Sequence, residues 1–266
     1  MKAVVLTCDK YHPFADHMMH CYMHLWPDNP FTFLVPYQNY PFHLKKKYGE
    51  KIHLIPSNSD IKSTLIALLQ YTKDEEWVYW CMDDRYPVEL DTGRLRTRYH
   101  WINNMDDKNV CGILFTYSMS KFRKGYVYKK TKMYDPENHK YVELVNYSHF
   151  WYHQFMRSRI LSRFAECLPD SMQQAKQMDA IKDNLTLAGN DKRYVATNRL
   201  ASFGESTNRG KITLNCVKSM ERHQLDIPSG FPVLHKEIVK GARRYERSLF
   251  YYRIRGFYRS LMGILK

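Results

Sequence analysis

Two adjacent carboxylates follow an unbroken run of six apolar residues. Asp83 and Asp84 come directly after the run 77–82, and Arg85 follows them. Such a run is typical of a strand that is buried on both faces inside a parallel sheet. Ligands of open α/β sheets bind outside the carboxyl ends of the strands, where two acids can hold Mg²⁺ or Mn²⁺ and, through the ion, a diphosphate. The alternative is an acidic turn that ends the strand and caps the next element.

Three histidines form a second group of residues that could do chemistry. His17, His20 and His24 lie on one flank of a predicted helix. Paired histidines on a helix can bind zinc, but no acid at a suitable spacing completes a site. The sequence therefore favours a partly buried polar flank.

Basic and aromatic residues alternate in two further segments. The first, 121–133, is predicted to be an exposed hairpin that is either solvated or in contact with an anionic acceptor, a membrane or a nucleic acid. The second runs from Lys236 to the end and is predicted to be helical. A basic amphipathic helix can lie on an anionic membrane, and the alternative is a helix packed on the domain with its arginines solvated.

The scaffold for these groups is predicted to be strands that alternate with helices. Strands are expected at 2–7, 31–35, 51–55, 77–82, 110–117 and 141–146, and helices at 14–26, 60–71, 92–105, 150–167 and 173–187. This alternation implies right-handed crossovers and a parallel sheet. The first and fourth strands would then bring Asp9 and the Asp83–Asp84 pair to the same edge of the sheet.

The composition is that of a folded chain with a strong positive charge. The 266 residues include 41 Lys and Arg against 27 Asp and Glu, a formal net charge of +14. This excess favours an anionic partner: a nucleic acid, a membrane surface or a phosphorylated substrate. None of the six cysteines forms a Cys-x-x-Cys pair, so we expect free thiols in a reducing compartment. With no signal-peptide pattern and no apolar stretch of roughly 20 residues, the sequence predicts a cytoplasmic protein.

The order of these parts, over residues 1–235, resembles the glycosyltransferase A-type fold of the nucleotide-diphospho-sugar transferases. That family has a Rossmann-like first half and an acidic motif at the end of a central strand. Small bacterial and viral members end this strand in a plain Asp-Asp. The residues that carry the resemblance are Cys81-Met82-Asp83-Asp84, Ser148-His149-Phe150-Trp151 at the expected start of a helix, Gly204-Glu205 and Arg209-Gly210-Lys211.

The resemblance implies a role for each matching residue. Thr7, Asp9 and Tyr11 would line the nucleoside pocket. Asp83 and Asp84 would meet the ribose, the metal ion and the diphosphate. Because successive strand residues point to opposite faces, only one carboxylate need ligate the ion directly, and we favour Asp84.

Three cations complete the implied donor site. Arg209 and Lys211 would neutralise the leaving diphosphate. Arg85 departs from the family pattern, which commonly has an aromatic residue at this place. Its guanidinium could grip phosphate oxygens or compete with the metal for a carboxylate.

Inverting sugar transfer also needs a base that takes the proton of the acceptor hydroxyl. The family places a carboxylate near the start of a helix that follows the Trp-led helix, and the matching residue is Asp179. The spacing is longer than the family pattern, so Glu166 and Asp170 stay open as alternatives. A retaining enzyme requires no base at this place.

Together these features predict a metal-dependent glycosyltransferase, of hexosyl type, that moves a sugar from a nucleotide-diphosphate donor to a glycan or lipid-linked acceptor in polysaccharide biosynthesis. The catalytic domain is expected at 1–235, followed by a basic amphipathic tail at 236–266 that holds the protein on the inner face of a membrane. The alternative is a basic single-stranded nucleic-acid-binding protein without catalysis. That alternative gives no reason for two carboxylates at the end of a buried strand, so nucleic acid is not the favoured partner. A metal-dependent nuclease ranks third, because no additional acid cluster of the two-metal kind is present.

Overall fold

Two compact units make up the chain in the computed structural model, which describes residues 1–115, 128–171, 175–234 and 248–261. The first unit comprises Met1–Lys10, Pro30–Met82 and Arg96–Asn198, and the second comprises Tyr11–Asn29, Asp83–Leu95 and Arg199–Lys266. The predicted domain boundary at 235/236 falls in a segment outside the described residues, so it stays a prediction.

Short strands and helices mostly alternate along the first half of the described chain, whereas several strands follow one another in the second half. The strands are β1 (Lys2–Leu6), β2 (Thr32–Tyr37), β3 (Ile52–Pro56), β4 (Trp77–Met82), β5 (Arg85–Leu90), β6 (Val110–Leu114), β7 (Tyr128–Tyr134), β8 (Lys140–Leu144), β9 (Gln154–Arg157), β10 (Lys192–Ala196), β11 (Ala201–Glu205), β12 (Thr207–Asn208), β13 (Lys211–Thr213) and β14 (Val233–Leu234). The helices are α1 (His12–Leu25), α2 (Phe42–Tyr48), α3 (Ile61–Leu69), α4 (Thr92–Asn103), α5 (Ser158–Glu166), α6 (Ala175–Asn184), α7 (Leu214–Arg222) and α8 (Leu249–Leu261).

The first unit is built on one large sheet with the strand order β3-β2-β1-β4-β9-β6-β10-β8-β7. The neighbours β3, β2, β1 and β4 are parallel, and so are β6 and β10. β9 is antiparallel to β4 and β6, and β8 is antiparallel to β10 and β7. Seven of these nine strands therefore point the same way. The predicted α/β class with a mostly parallel central sheet is confirmed.

The centre of this sheet is apolar on both faces. All residues of β4 from Trp77 to Cys81 are buried, as expected for a strand with neighbours on both sides and covered faces. One continuous core joins β1 and β4 to α3 and α5, through side chains such as Val4, Trp80 and Leu65. Helix α3 begins where the sequence predicts, because Oδ1 of Asp60 accepts a hydrogen bond of 2.8 Å from the Ser63 amide.

One predicted helix is wrong over half of its length. The segment 150–167 was expected to be helical throughout, starting with Phe150 and Trp151. Instead, residues up to Trp151 lie in turns, Gln154–Arg157 form β9, and the helix begins at Ser158. The cause is tertiary: all four β9 residues are buried between β4 and β6, so sheet pairing overrides the helical pattern.

Among the described residues, the second unit contains two small sheets, the helices α1, α7 and α8, and the first turn of α4. β5 pairs antiparallel with β11, and β12, β13 and β14 form a three-stranded sheet. Helix α1 packs on β5, where the ring centre of His17 lies 4.3 Å from that of Tyr86. Helix α7 begins at Thr213, whose Oγ1 accepts a hydrogen bond from the Cys216 amide.

The two basic segments are described only in part. β7 covers the end of the predicted 121–133 hairpin, and its earlier residues lie outside the described part of the chain. In the tail, α8 is described and 235–247 is not. Oε2 of Glu89 accepts a 2.6 Å hydrogen bond from the Leu249 amide, and Arg253 forms an ion pair of 2.7 Å with Asp91. None of the described helices combines the length and the apolar character needed to cross a membrane.

Candidate active site

The acidic pair lies where the buried central strand ends. β1 and β4 are parallel neighbours in register, with Leu6 opposite Met82, so their carboxyl ends are level. Nε2 of the buried His153 lies 3.1 Å from the amide N and 3.0 Å from the carbonyl O of Met82, which fixes the last residue of β4. Burial raises the pKa of the Cys81 thiol well above its ordinary value, so this residue is a neutral part of the core. Asp83 is therefore the first residue after β4 that has a charged side chain.

The main chain of the acidic pair is held by one serine of the second unit. The carbonyl oxygen of Asp84 accepts a 2.7 Å hydrogen bond from the Ser206 amide, and that of Asp83 accepts a 3.3 Å hydrogen bond from the Ser206 hydroxyl. Both aspartates are partly exposed. These hydrogen bonds therefore fix the backbone of the turn that carries the two carboxylates.

The hairpin formed by β12 and β13 is hydrogen-bonded to the same serine. It carries Arg209 and Lys211 and is called the basic hairpin below. The carbonyl oxygen of Ser206 accepts a 3.0 Å hydrogen bond from the Thr213 amide, in the strand that starts at Lys211. Arg209 and Gly210 form the two-residue turn between β12 and β13, with φ values of +52° and +75°. A left-handed φ is uncommon for arginine, and such residues persist where the surrounding structure demands them. The exposed Arg209 and Lys211 therefore belong to the same hydrogen-bonded assembly as Asp83 and Asp84.

Arg85 forms an ion pair with a residue beyond the acidic turn. Its guanidinium Nη2 lies 3.6 Å from Oε1 of Glu205, on the paired strand β11. The sequence left open whether Arg85 grips phosphate or competes for a carboxylate. The role of Arg85 stays a prediction. In either role, its guanidinium would have to bind its new partner in addition to Glu205 or release Glu205.

Tyr11 packs in an aromatic group of the second unit. Its ring centre lies 5.9 Å from that of Phe14 and 5.3 Å from that of Phe231. The residue is partly exposed. The structure therefore gives Tyr11 a packing role, and its place beside a nucleoside stays a prediction.

In the first unit, Thr7 and Asp9 follow β1. Thr7 is buried, and Asp9 opens a short 3-10 turn. The Asp9 carboxylate accepts hydrogen bonds from the Gln38 amide (2.8 Å), the Asn39 amide (2.7 Å) and the Asn39 side chain (2.8 Å). Asp9 thus ties the end of β1 to the end of β2, and its contact with a nucleoside stays a prediction.

The predicted base, Asp179, makes a contact with the Trp-led segment. The exposed carboxylate of Asp179 on α6 accepts a 2.6 Å hydrogen bond from Nε1 of Trp151. The alternative Asp170 is exposed and forms an ion pair of 2.7 Å with Lys62, which lowers the pKa of its carboxyl group. Glu166 is exposed at the end of α5.

The predicted site residues therefore fall into two groups. The second unit brings together the acidic pair, Arg85 and the basic hairpin, while the first unit holds Thr7, Asp9 and Asp179. The two carboxylates fit a hard divalent cation, because Mg²⁺ and Mn²⁺ sites in phosphate chemistry commonly use one or two carboxylates and complete their shell with phosphate oxygens and water. Asp83 and Asp84 would hold such an ion.

One cluster was missed, although the alternation Asp135-x-Glu137-x-His139 is visible in the sequence. Ligand atoms of these three residues lie within 4.8 Å of one another. However, Oδ2 of Asp135 accepts a 2.6 Å hydrogen bond from Nε of the buried Arg98, and Oδ1 accepts from the amides of Glu137 and His139. Burial alone would raise the pKa of Asp135, but these donors outweigh it and lower the pKa. The group is a hydrogen-bonded hairpin turn and not an open cation site.

Comparisons with known proteins give no family match. Neither a scan against protein-family models nor a search of curated proteins finds a match. Solved structures with similarity include a galactosyltransferase, LgtC, in complex with donor and acceptor sugar analogues, at 13% identity and a TM-score of 0.42, covering 97% of this chain and 96% of that one.

Two further similar structures come from Staphylococcus aureus and Streptococcus pneumoniae. Staphylococcus aureus TarS 1–349 in complex with UDP-GlcNAc matches at 12% identity and a TM-score of 0.48, covering 79% of this chain. The glycosyltransferase GlyE of Streptococcus pneumoniae matches at 10% identity and a TM-score of 0.43, covering 96% of this chain. This chain spans 59% of each of these two. At such values, the activities of these proteins do not transfer to this chain, and its function rests on its own residues.

Proposed function

We propose that the protein is a glycosyltransferase that moves a sugar from a nucleotide-diphosphate donor to an acceptor hydroxyl. The observation that carries the proposal is the Ser206-centred assembly of the acidic turn and the basic hairpin. Ser206 forms hydrogen bonds with the main chain of the acidic turn and with Thr213, in the strand that starts at Lys211, so residues that suit a divalent cation and residues that suit a diphosphate lie on one hydrogen-bonded backbone.

The chemistry follows from the charges. A bound Mn²⁺ or Mg²⁺ would supply positive charge for the donor diphosphate. Asp84, with Asp83, would hold that ion, and Arg209 and Lys211 would stabilise the negative charge that grows on the leaving diphosphate as the sugar departs. Asp179 is the proposed base if the reaction inverts configuration at the sugar.

Further details of the proposal concern the sugar and the acceptor. We propose a hexosyl donor and a glycan or lipid-linked acceptor, in polysaccharide biosynthesis on the cytoplasmic side of a membrane. Support for the membrane comes from α8, where Phe250, Ile254, Phe257 and Tyr258 are exposed at the spacing of one helical face.

The test is a thermal-shift screen of UDP, GDP, CDP and a short oligonucleotide, each with and without Mn²⁺. A ligand that binds only the folded protein raises the unfolding midpoint by mass action. We expect one nucleotide to raise it in the presence of Mn²⁺, and Asp84→Asn to abolish this rise. The matched control is Asp106→Asn, the same change at an exposed acid elsewhere. Equal stabilisation of Asp84→Asn and the unchanged protein would contradict the metal role, and stabilisation by an oligonucleotide alone would contradict sugar transfer.

A second variant separates the charge of the hairpin from its turn. Arg209→Asn keeps a residue that accepts a left-handed φ, so the turn should be as stable or more stable. Loss of one charge-assisted contact of about 1.5–3 kcal/mol should weaken nucleotide binding by roughly tenfold or more. Titration of the nucleotide by calorimetry measures this change, and unchanged affinity would remove Arg209 from the site.

A further inference from the structure

The second unit gathers histidines from two helices. His17, His20 and His24 lie on α1, and His223 follows α7 directly. The ring centre of His223 lies 5.0 Å from that of His20 and 5.1 Å from that of His24. The fold therefore adds a fourth imidazole, that of His223, to the three on α1.

These separations match the geometry of shared metal ligands. Two imidazoles that bind one tetrahedral zinc ion at Zn–N distances of about 2.0–2.1 Å have ring centres about 5 Å apart. The rings are also inclined at 65° and 71° to one another, so they do not stack face to face. Both separations from His223 therefore suit imidazoles that share one cation.

Buried contacts fix the spacing of the two helices. Nε2 of the fully buried His17 lies 2.9 Å from the Ser219 hydroxyl, and its Nδ1 lies 3.7 Å from Sγ of Cys216. Both partners are on α7. His17 is therefore committed to the interface between the helices, and it holds His223 opposite His20 and His24.

The three other histidines are accessible to solvent. His24 is exposed, and His20 and His223 are partly exposed, so an ion could enter and keep a water as its fourth ligand.

The side chains must turn to complete the shell. Among the described residues, only Asp135, Glu137 and His139 already have all their ligand atoms within 4.8 Å of one another. The imidazole nitrogens of the histidine group therefore converge only after rotation about the side-chain bonds. Such rotation is sterically accessible at His24, because this residue is exposed.

We propose that His20, His24 and His223 bind a divalent transition-metal ion, zinc first, which joins α1 to the end of α7. Imidazole ligands suit Zn²⁺, Ni²⁺ or Cu²⁺ better than the hard cations that carboxylates prefer, so this site differs from that of Asp83 and Asp84. A metal that binds only the folded unit would raise its stability by mass action.

The test is equilibrium dialysis of the untagged full-length protein against Zn²⁺ alone, with metal content counted per chain. We expect one equivalent to be lost, or its affinity reduced at least tenfold, in both His24→Gln and His223→Gln, since even outer-shell changes cost ten- to a hundredfold. The matched control is His43→Gln, an exposed histidine on α2. Because His24 is exposed, its variant should fold normally.

Two further measurements separate this site from the others. Glu137→Gln should leave the zinc equivalent in place, since Glu137 belongs to the hairpin cluster. Zinc should also raise the unfolding midpoint of the unchanged protein and not that of His223→Gln. Equal zinc affinity in the His24→Gln, His223→Gln and His43→Gln proteins would overturn the proposal, and so would a loss of the equivalent in Glu137→Gln alone.

Discussion

At the scale of single residues, the hydrogen bond between Trp151 and Asp179 gives the proposed base a fixed orientation. An indole N–H that donates to Oδ1 leaves the other carboxylate oxygen to face an acceptor hydroxyl. A positioned base contributes about 10²–10⁴-fold to the rate of proton transfer. We therefore expect Asp179→Asn to lower kcat at least a hundredfold.

The control for this prediction is Asp170→Asn, the same change at the alternative base. Its carboxylate is exposed and already paired with Lys62, so kcat should change less than twofold by the weak coupling of such surface pairs. Donor turnover with the acceptor in excess measures both variants. A large loss in Asp170→Asn with normal turnover in Asp179→Asn would exchange the two assignments.

A second residue-scale prediction concerns the buried pair of Arg98 and Asp135, whose side chains are 1% and 2% exposed. Removing one partner leaves the other charge buried without compensation, which costs about 3–5 kcal/mol. Asp135→Asn should therefore lower the free energy of unfolding by about this amount at pH 7, measured by urea denaturation. Asp170→Asn, in an exposed pair, should change the free energy of unfolding far less, because exposed ion pairs contribute little to stability.

The lowered pKa of Asp135 adds a pH dependence to this pair. A carboxyl group with a lower pKa in the folded state stabilises the protein above its unfolded pKa of about 3.9, and the stability is lost as the pH falls through the folded pKa. Stability should thus fall less steeply in acid for Asp135→Asn than for the unchanged protein. Parallel curves for the two proteins would contradict the electrostatic role.

Sequence patterns nominate residues but not their partners. Asp9 and Asp83 both follow buried strands, so the sequence pattern predicts a ligand-binding role for each of them. The structure shows that both Asp9 oxygens accept hydrogen bonds from Gln38 and Asn39, while Ser206 contacts the main chain of Asp83. Such differences depend on residues far away in the chain, which spacing alone does not specify.

At the scale of elements, the pairing of β5 with β11 requires a glycine. A Cβ at Gly204 would lie 2.3 Å from Cζ of Tyr86, the residue opposite in the pair. The Tyr86 ring is buried and packs against His17, so it has little room to move. Gly204→Ala should lower the free energy of unfolding by about 1–3 kcal/mol, the usual cost of overpacking, as measured by urea denaturation.

Gly93→Ala is the matched change in the same unit. Gly93 lies in the first turn of α4, has no positive φ, and would place an added Cβ with no other atom within 4 Å. Alanine is the better helix former, so this variant should be neutral or more stable by up to about 1 kcal/mol. Equal losses in the two variants would show that the Tyr86 contact is not the cause.

Most strands and helices of the first half follow from the sequence, although α2 and β5 do not, and neither does β9. Its four residues lie between β4 and β6, and the polar Gln154 is buried among them. Nε2 of Gln154 donates to the carbonyl of Phe150 at 3.0 Å, and Oε1 accepts a 2.6 Å hydrogen bond from the buried Arg193. A buried polar residue satisfied by a distant arginine is invisible to hydrophobic periodicity, so the segment resembled the start of a helix.

At the scale of the whole molecule, the net charge of +14 predicts an anionic partner but not which one. Among anionic partners, α8 favours a membrane surface, because its exposed aromatic residues add an apolar face to the basic tail. Such a face suits the boundary between headgroups and acyl chains, whereas a solvated basic arm needs no apolar residues. Composition alone could not separate these cases, since it does not report which side chains are left exposed.

The last prediction is that the protein binds anionic vesicles through α8. Phe250 and Phe257 are 69% and 68% exposed, and burial of each ring in the interface should contribute roughly 1.5–3 kcal/mol. The double variant Phe250→Ser, Phe257→Ser should therefore sediment with phosphatidylserine vesicles at least tenfold more weakly.

The control double variant Tyr40→Ser, Phe42→Ser removes two aromatic residues that are 55% and 69% exposed in the first unit, and its binding should be unchanged. Binding of the unchanged protein should weaken as salt rises and be weaker on neutral phosphatidylcholine, because the cations supply about 1 kcal/mol each only at an anionic surface. Equal binding by the two double variants would mean that α8 is not the contact.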